Sequence, residues 1–187
     1  MRREYTVIKR HLVGLRAVEE TDLAQMRDWR NIEHFRRNFR EVRELNLVHQ
    51  KKWFEKIASS ANDFMFVIEQ LAMQKPVGIC GLTYVNWIIR SADFSFYIGD
   101  AEVYIDHQGV SLEAANLLIN YGFNILNLNK IWMELFEFDH EKIGFFTEKI
   151  GFTIDGKLRD NCFDGGKYHD SLILSLLKSE WTTREMV

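Results

Sequence analysis

The sequence predicts one α/β (α+β) domain across residues 1–187, a mixed sheet of about seven strands with helices on both faces. Three observations predict it. Extended apolar runs alternate along the chain with amphipathic stretches. Residues 92–98 alternate strictly, with Asp93, Ser95 and Tyr97 set against Ala92, Phe94, Phe96 and Ile98, the period of a strand. Residues 110–126 place Leu112, Ala115, Leu118, Ile119, Gly122 and Phe123 on one side, the period of a helix.

The elements follow in order. Leu12–Val18 reads as a short strand. Thr21 or Asp22 caps a helix through Trp29, because a side-chain oxygen there accepts from the first free N–H groups. Leu23, Met26 and Trp29 share one face of it. A charged connection leads to a second helix, Leu47–Ser59, with Trp53, Phe54 and Ile57 facing inward. Phe64–Gln70, Pro76–Tyr84 and Ala92–Ile98 are strands, the last two joined as a hairpin around Val85–Trp87. A polar loop holding Gly109 precedes the helix Val110–Leu126. Lys130–Phe138 is the next strand. Asp139 caps a helix to Lys149, which Gly151 ends. Phe152 opens an extended piece, and a turn at Phe163–Lys167 leads to the last strand, His169–Leu177.

Composition narrows the partners. The chain has 187 residues, 47% hydrophobic and 13% aromatic, enough for a core without staples. A net charge of −3 speaks against a nucleic-acid binder, whose affinity comes from cations on phosphates. Its two cysteines read as thiols of a reducing compartment, Cys80 as core packing and Cys162 in a Gly/Asp-rich segment. No leader pattern and no apolar stretch of membrane-spanning length stand out, so the expectation is a soluble, cytoplasmic monomer or homodimer with no membrane partner. The six histidines have no metal-ligand spacing, and no metal is expected.

The most informative segment is the strand–loop–helix passage from Tyr97 to Ala114. Free N–H groups and the positive dipole end at a helix start make an anion site, although an ordinary strand–helix loop looks the same in sequence. Here the residues resemble a known family. Phe94–Asp100, then Gly109 with Glu113–Ala114, resembles the central motif of the GNAT superfamily of N-acetyltransferases. Asn127–Ile131 is similar to its entry into the fifth strand, and Glu148–Phe152 to its helix ending. Within the superfamily the chain most resembles the branch of ribosomal-protein N-terminal and nucleotide-linked amino-sugar N-acetyltransferases, and Trp29-Arg30-Asn31 and Tyr168-His169-Asp170 lean toward its amino-sugar side.

That resemblance implies a sheet splayed between its fourth and fifth strands and acetyl-coenzyme A (acetyl-CoA) as cosubstrate in the cleft. Pantetheine would pair with the backbone near Tyr97, Ile98 and Gly99. The pyrophosphate would sit on amides of His107, Gln108, Gly109, Val110 and Ser111, with Asp139, His140 and Phe146 facing the cosubstrate from the next helix. A substrate amine then attacks the thioester, a base takes its proton, and an acid, often a tyrosine, protonates the leaving thiolate. The family loop reads Gln/Arg-x-x-Gly-x-Gly/Ala; here Asp106–Ser111 keeps Gly109 alone and begins with a carboxylate. At the tyrosine's place stands Thr147, or Phe146 when counted from Asp139.

For a base, Glu134 comes first, on the fifth strand beside the splay, with Asp93 and Tyr97 next. Each of the three also reads as a structural partner in a sheet. Trp29, Arg30, Asn31 and His169 are the acceptor-side candidates, an arginine beside an aromatic being suited to a nucleotide or carboxylate. The expected acceptor is a small amine, an amino-sugar nucleotide first and a protein N-terminus second. The lost loop pattern and tyrosine leave another class open, a non-catalytic CoA-binding or partner-binding domain.

Overall fold

The computed structural model describes residues 6–106 and 108–185. Eight strands form one sheet in the order β1-β2-β3-β4-β5-β6-β8-β7. They are β1 Thr6–Lys9, β2 Val13–Ala17, β3 Phe64–Gln70, β4 Lys75–Asn86, β5 Ser91–Ile98, β6 Lys130–Phe136, β7 Thr153–Asp164 and β8 Lys167–Leu177. Every neighbouring pair is antiparallel except β5–β6. The eighth strand is β1, four residues with no alternation long enough to read in sequence. Because it precedes the others, the strands expected as fourth and fifth are β5 and β6.

The helices are α1 Leu23–Asn31, α2 Glu33–Arg36, α3 Leu47–Ser59, α4 Val110–Asn120, α5 His140–Gly144 and α6 Lys178–Glu185. The last turns of the helices begun by α4 and α5 widen to π geometry, over Tyr121–Ile125 and Phe145–Ile150. Asn46 starts α3 as expected of a cap, its side chain accepting from His49 N–H at 3.0 Å. Two half-buried residues of α3, Trp53 and Ile57, line a cavity described below.

What positions the site is the parting of β5 from β6. They pair only over Ser91–Asp93 and Lys130–Trp132, while β6 stays paired with β8 along its whole length. Beyond Asp93 the two strands diverge. Phe146, fully buried, fills one side of the wedge with its ring 5.3 Å from Phe94, 6.0 Å from Phe96 and 5.5 Å from Phe152. On the other side of β5, Tyr97 meets Trp29 at 6.5 Å and Phe39 at 5.4 Å, so the strand is covered on both faces. Gly99 makes room for this: a Cβ there would lie 2.1 Å from the Trp29 ring. Cys80 is buried, its thiol pKa raised by that burial, as packing requires. Among the described residues no helix is long and apolar enough to cross a membrane.

Candidate active site

The site begins at Arg40, on the connection after α2. Its guanidinium reaches Asp93 of β5 at 2.8 Å and Glu134 of β6 at 3.7 Å, and so bridges the two strands where they separate. Glu134 is fixed from behind: its Oε1 accepts from Asn161 Nδ2 at 2.6 Å and from Ser171 Oγ at 2.7 Å. Asp93 is 4% exposed, and burial pushes its pKa up against the pull of Arg40, with the nearby Glu134 charge adding to the rise. Beside these groups lies a cavity of about 280 Å³. β5 contributes Asp93–Phe96, β6 contributes Glu134 and Leu135, and Arg30, Lys56 and Lys142 complete its charged wall.

Lys142 is the functional candidate that sequence reasoning missed. It is 7% exposed and its ammonium donates to Tyr104 Oη at 3.3 Å. Burial lowers its pKa to about 8, with Asp139 and Asp93 pulling up and Arg30 and Arg40 pushing further down. Arg30 lies 3.7 Å over the Phe39 ring, and burial lowers its pKa too.

Several candidate residues have other occupations. Asp139 was expected to face the cosubstrate; instead it is buried, caps α5 by accepting from Lys142 N–H at 3.2 Å, and accepts from Tyr104 Oη at 2.8 Å. His140 is exposed at the start of α5. Thr147 donates its hydroxyl to Ile143 C=O at 2.8 Å, and Phe146 is core, so neither stands ready as a proton donor. Trp29 and Tyr97 are core and do not line the cavity. Asn31 ties down the connection before α3, donating to Leu45 C=O at 2.8 Å and accepting from Leu45 N–H at 2.7 Å. His169 sits against Phe138 and 3.3 Å from Glu137, away from the cavity. Asp170, on the other face, pairs with Lys157.

The loop before α4 closes on itself. Gln108 N–H donates to Asp106 Oδ1 at 2.8 Å, Val110 N–H donates to the same oxygen at 3.0 Å, and Ser111 N–H donates to Oδ2. Gly109, at φ +97°, supplies the left-handed turn that aims these amides together. His107 lies outside the described residues. On β5, the N–H and C=O of Ile98 are taken by Tyr104 at 2.9 and 3.1 Å. Gly99 N–H donates to Val77 C=O of β4, and Tyr97 pairs with Ile79, so neither faces the parting.

Parallel strands that part after three paired residues, with a charged cavity at the fork, are the architecture of an acyltransferase. Residues 15–173 match the family described as acetyltransferase (GNAT) domain, and the chain belongs to that family. It is similar to a spermidine N-acetyltransferase from Vibrio cholerae solved with CoA and spermine, with a TM-score of 0.82 and 26% identity, over 91% of this chain and 98% of that one. The spermidine N(1)-acetyltransferase of Escherichia coli K12 is 25% identical over 171 residues, 91% of this chain and 89% of that protein. The Vibrio cholerae relative of the same name is 27% identical over 172 residues, 91% and 95% of the two chains. The chain is an acetyl-CoA-dependent N-acetyltransferase acting on a small amine.

The loop as it stands does not fit a pyrophosphate, because Asp106 already holds the amides that an incoming phosphate would need. Replacing Asp106 by Gln, the neutral residue type of the family loop, should cost about 1 kcal/mol of stability through the lost cap. It should also tighten CoA binding by about tenfold. Calorimetric titration checks this; unchanged affinity would place the pyrophosphate elsewhere.

Proposed function

We propose that the cavity at the fork of β5 and β6 holds the amine-bearing end of the acceptor, and that Glu134 receives the amine's proton. The observation that carries this reading is the Asp93–Arg40–Glu134 bridge across the parted strands, with the cavity beside it. At about 280 Å³ the cavity takes a group the size of one sugar ring, with anything larger extending out of its mouth. Arg40 holds the two carboxylates in place across the fork. Asn161 and Ser171 hold Glu134 through Oε1, and its Oε2 stands 3.7 Å from Arg40 Nε at the cavity wall. Acetyl-CoA supplies the activated acetyl group; the chain orients the amine and accepts its proton.

An amino-sugar nucleotide is the first acceptor we propose, since cations on the cavity wall suit its phosphates. The second reading is a polyamine, favoured by the spermidine N-acetyltransferases to which the chain is similar. A protein N-terminus, the earlier alternative, calls for an open acidic groove, and this wall is mixed. Thiol release from acetyl-CoA, measured with an amino-sugar nucleotide, with spermidine and with a short peptide amine, tests the reading. Turnover with spermidine alone would install the second reading, and turnover with the peptide alone would sink both.

A further inference from the structure

We propose that Arg30 and Lys142 form an anion cradle inside the acceptor cavity, so that the acceptor is an amine carrying a carboxylate or phosphoryl group. This rests on the reading that the acceptor enters this cavity.

The charges of the wall carry it. Four carboxylates line the cavity, Glu41, Asp63, Asp93 and Glu134, and each already has partners within the chain. Asp93 and Glu134 share Arg40. Glu41 pairs with Arg43 at 2.6 Å. Asp63 accepts from Ser60 Oγ at 2.6 Å and from Tyr84 N–H at 3.0 Å. The cations are the reverse. Among the described residues, Arg30, Lys56 and Lys142 have no carboxylate within salt-bridge distance. Arg30 has a ring beneath it, Lys56 lies 5.8 Å from the Tyr84 ring, and Lys142 has the hydroxyl and, at 4.9 Å, the ring of Tyr104. Asp139 attracts Lys142 from outside the cavity lining, but Tyr104 and the α5 cap engage its oxygens.

Two desolvated cations beside one void repel each other, and Arg30 is among the groups that depress the Lys142 pKa. Such an arrangement costs stability unless a negative group enters between them. A guanidinium and an ammonium at one wall are the donors that bind carboxylate and phosphate oxygens. A polyamine calls for several carboxylates with no other partner, and each of the four here already has one within the chain.

Calorimetry with inorganic phosphate, acetate and spermidine, each added to the unliganded wild type, to Arg30→Met and to Lys142→Met, tests the cradle. Phosphate or acetate should bind the wild type saturably and at least about tenfold more weakly to either variant, the loss of one charge-assisted contact. The tighter of the two anions identifies the group. Equal anion binding by all three proteins overturns the cradle, as does spermidine binding that strengthens when either cation is removed. Displacement of the anion by CoA alone also overturns it, since the anion would then belong to the cosubstrate. Should a variant not fold, the wild type alone decides: phosphate must shift the Arg30 Nε–H resonance, and a resonance unmoved through the titration refutes the proposal. Acetyl transfer to no amine at all, with anion binding intact, would remove the acceptor reading and leave the cradle.

Discussion

Replacing Glu134 by Gln should lower kcat by about 10²-fold or more, with little change in affinity for acetyl-CoA. The magnitude is that of removing one positioned acid–base group. The substitution preserves shape, and an amide oxygen can still accept from Asn161 and Ser171, which now bond Oε1 at 2.6 and 2.7 Å. What disappears is the proton-accepting oxygen at the cavity wall, 3.7 Å from Arg40 Nε. Asp93 is the rival base. Its pKa is raised by burial, which suits the task, but its carboxylate is held in a 2.8 Å bridge to Arg40 and its side chain is only 6% exposed. Steady-state kinetics on both carboxamide variants separates them. An unchanged kcat in the Glu134 variant, beside a large loss in Asp93→Asn, would transfer the proton to Asp93.

Much of the frame was legible because it depends on local periodicity. The alternation of residues 92–98 and the apolar stripe of 110–126 placed β5 and the helix beginning at α4. The carboxylate at Asp106 was visible in sequence, yet its direction was not, since that depends on the left-handed turn at Gly109. Asp139 was readable as a cap from its position. Its second partner, Tyr104, is 35 residues away and left no local signal. Lys142 was the hardest to see. On a short helix beside Glu141 it looks like any solvated lysine, and its burial comes from Tyr104 folding back through a passage where Ala101, Glu102 and Tyr104 have φ of 52°, 56° and 64°. That is tertiary information, and pattern reading has no access to it.

Lys142→Met should stabilise the protein at pH 7 by as much as about 3 kcal/mol, the free energy of moving an ordinary lysine pKa of 10.5 down to about 8. The sign follows from proton binding. Below about pH 8 the ammonium is charged in both states, and the folded chain bears the full cost of burying it. Between about pH 8 and 10.5 the unfolded chain still binds this proton while the folded chain has released it, so wild-type stability gains from this group as pH rises. The groups that set the balance face Lys142 from four elements or connections: Asp139 at the α5 cap and Asp93 on β5 attract it, Arg30 on α1 and Arg40 after α2 repel it, and burial outweighs them all. Methionine keeps the stem, fills the same space and has no proton to lose. Urea denaturation at pH 7 and pH 10 tests this: the variant should be the more stable at pH 7, and its advantage should shrink toward pH 10. A variant less stable at both values would mean that the ammonium's contact with Tyr104 and its attraction to Asp139 outweigh the burial cost, making Lys142 a structural brace. The predicted result has a functional meaning as well. A chain that keeps a costly buried ammonium at the wall of this cavity gives up stability there, and a bound anion is what would return it.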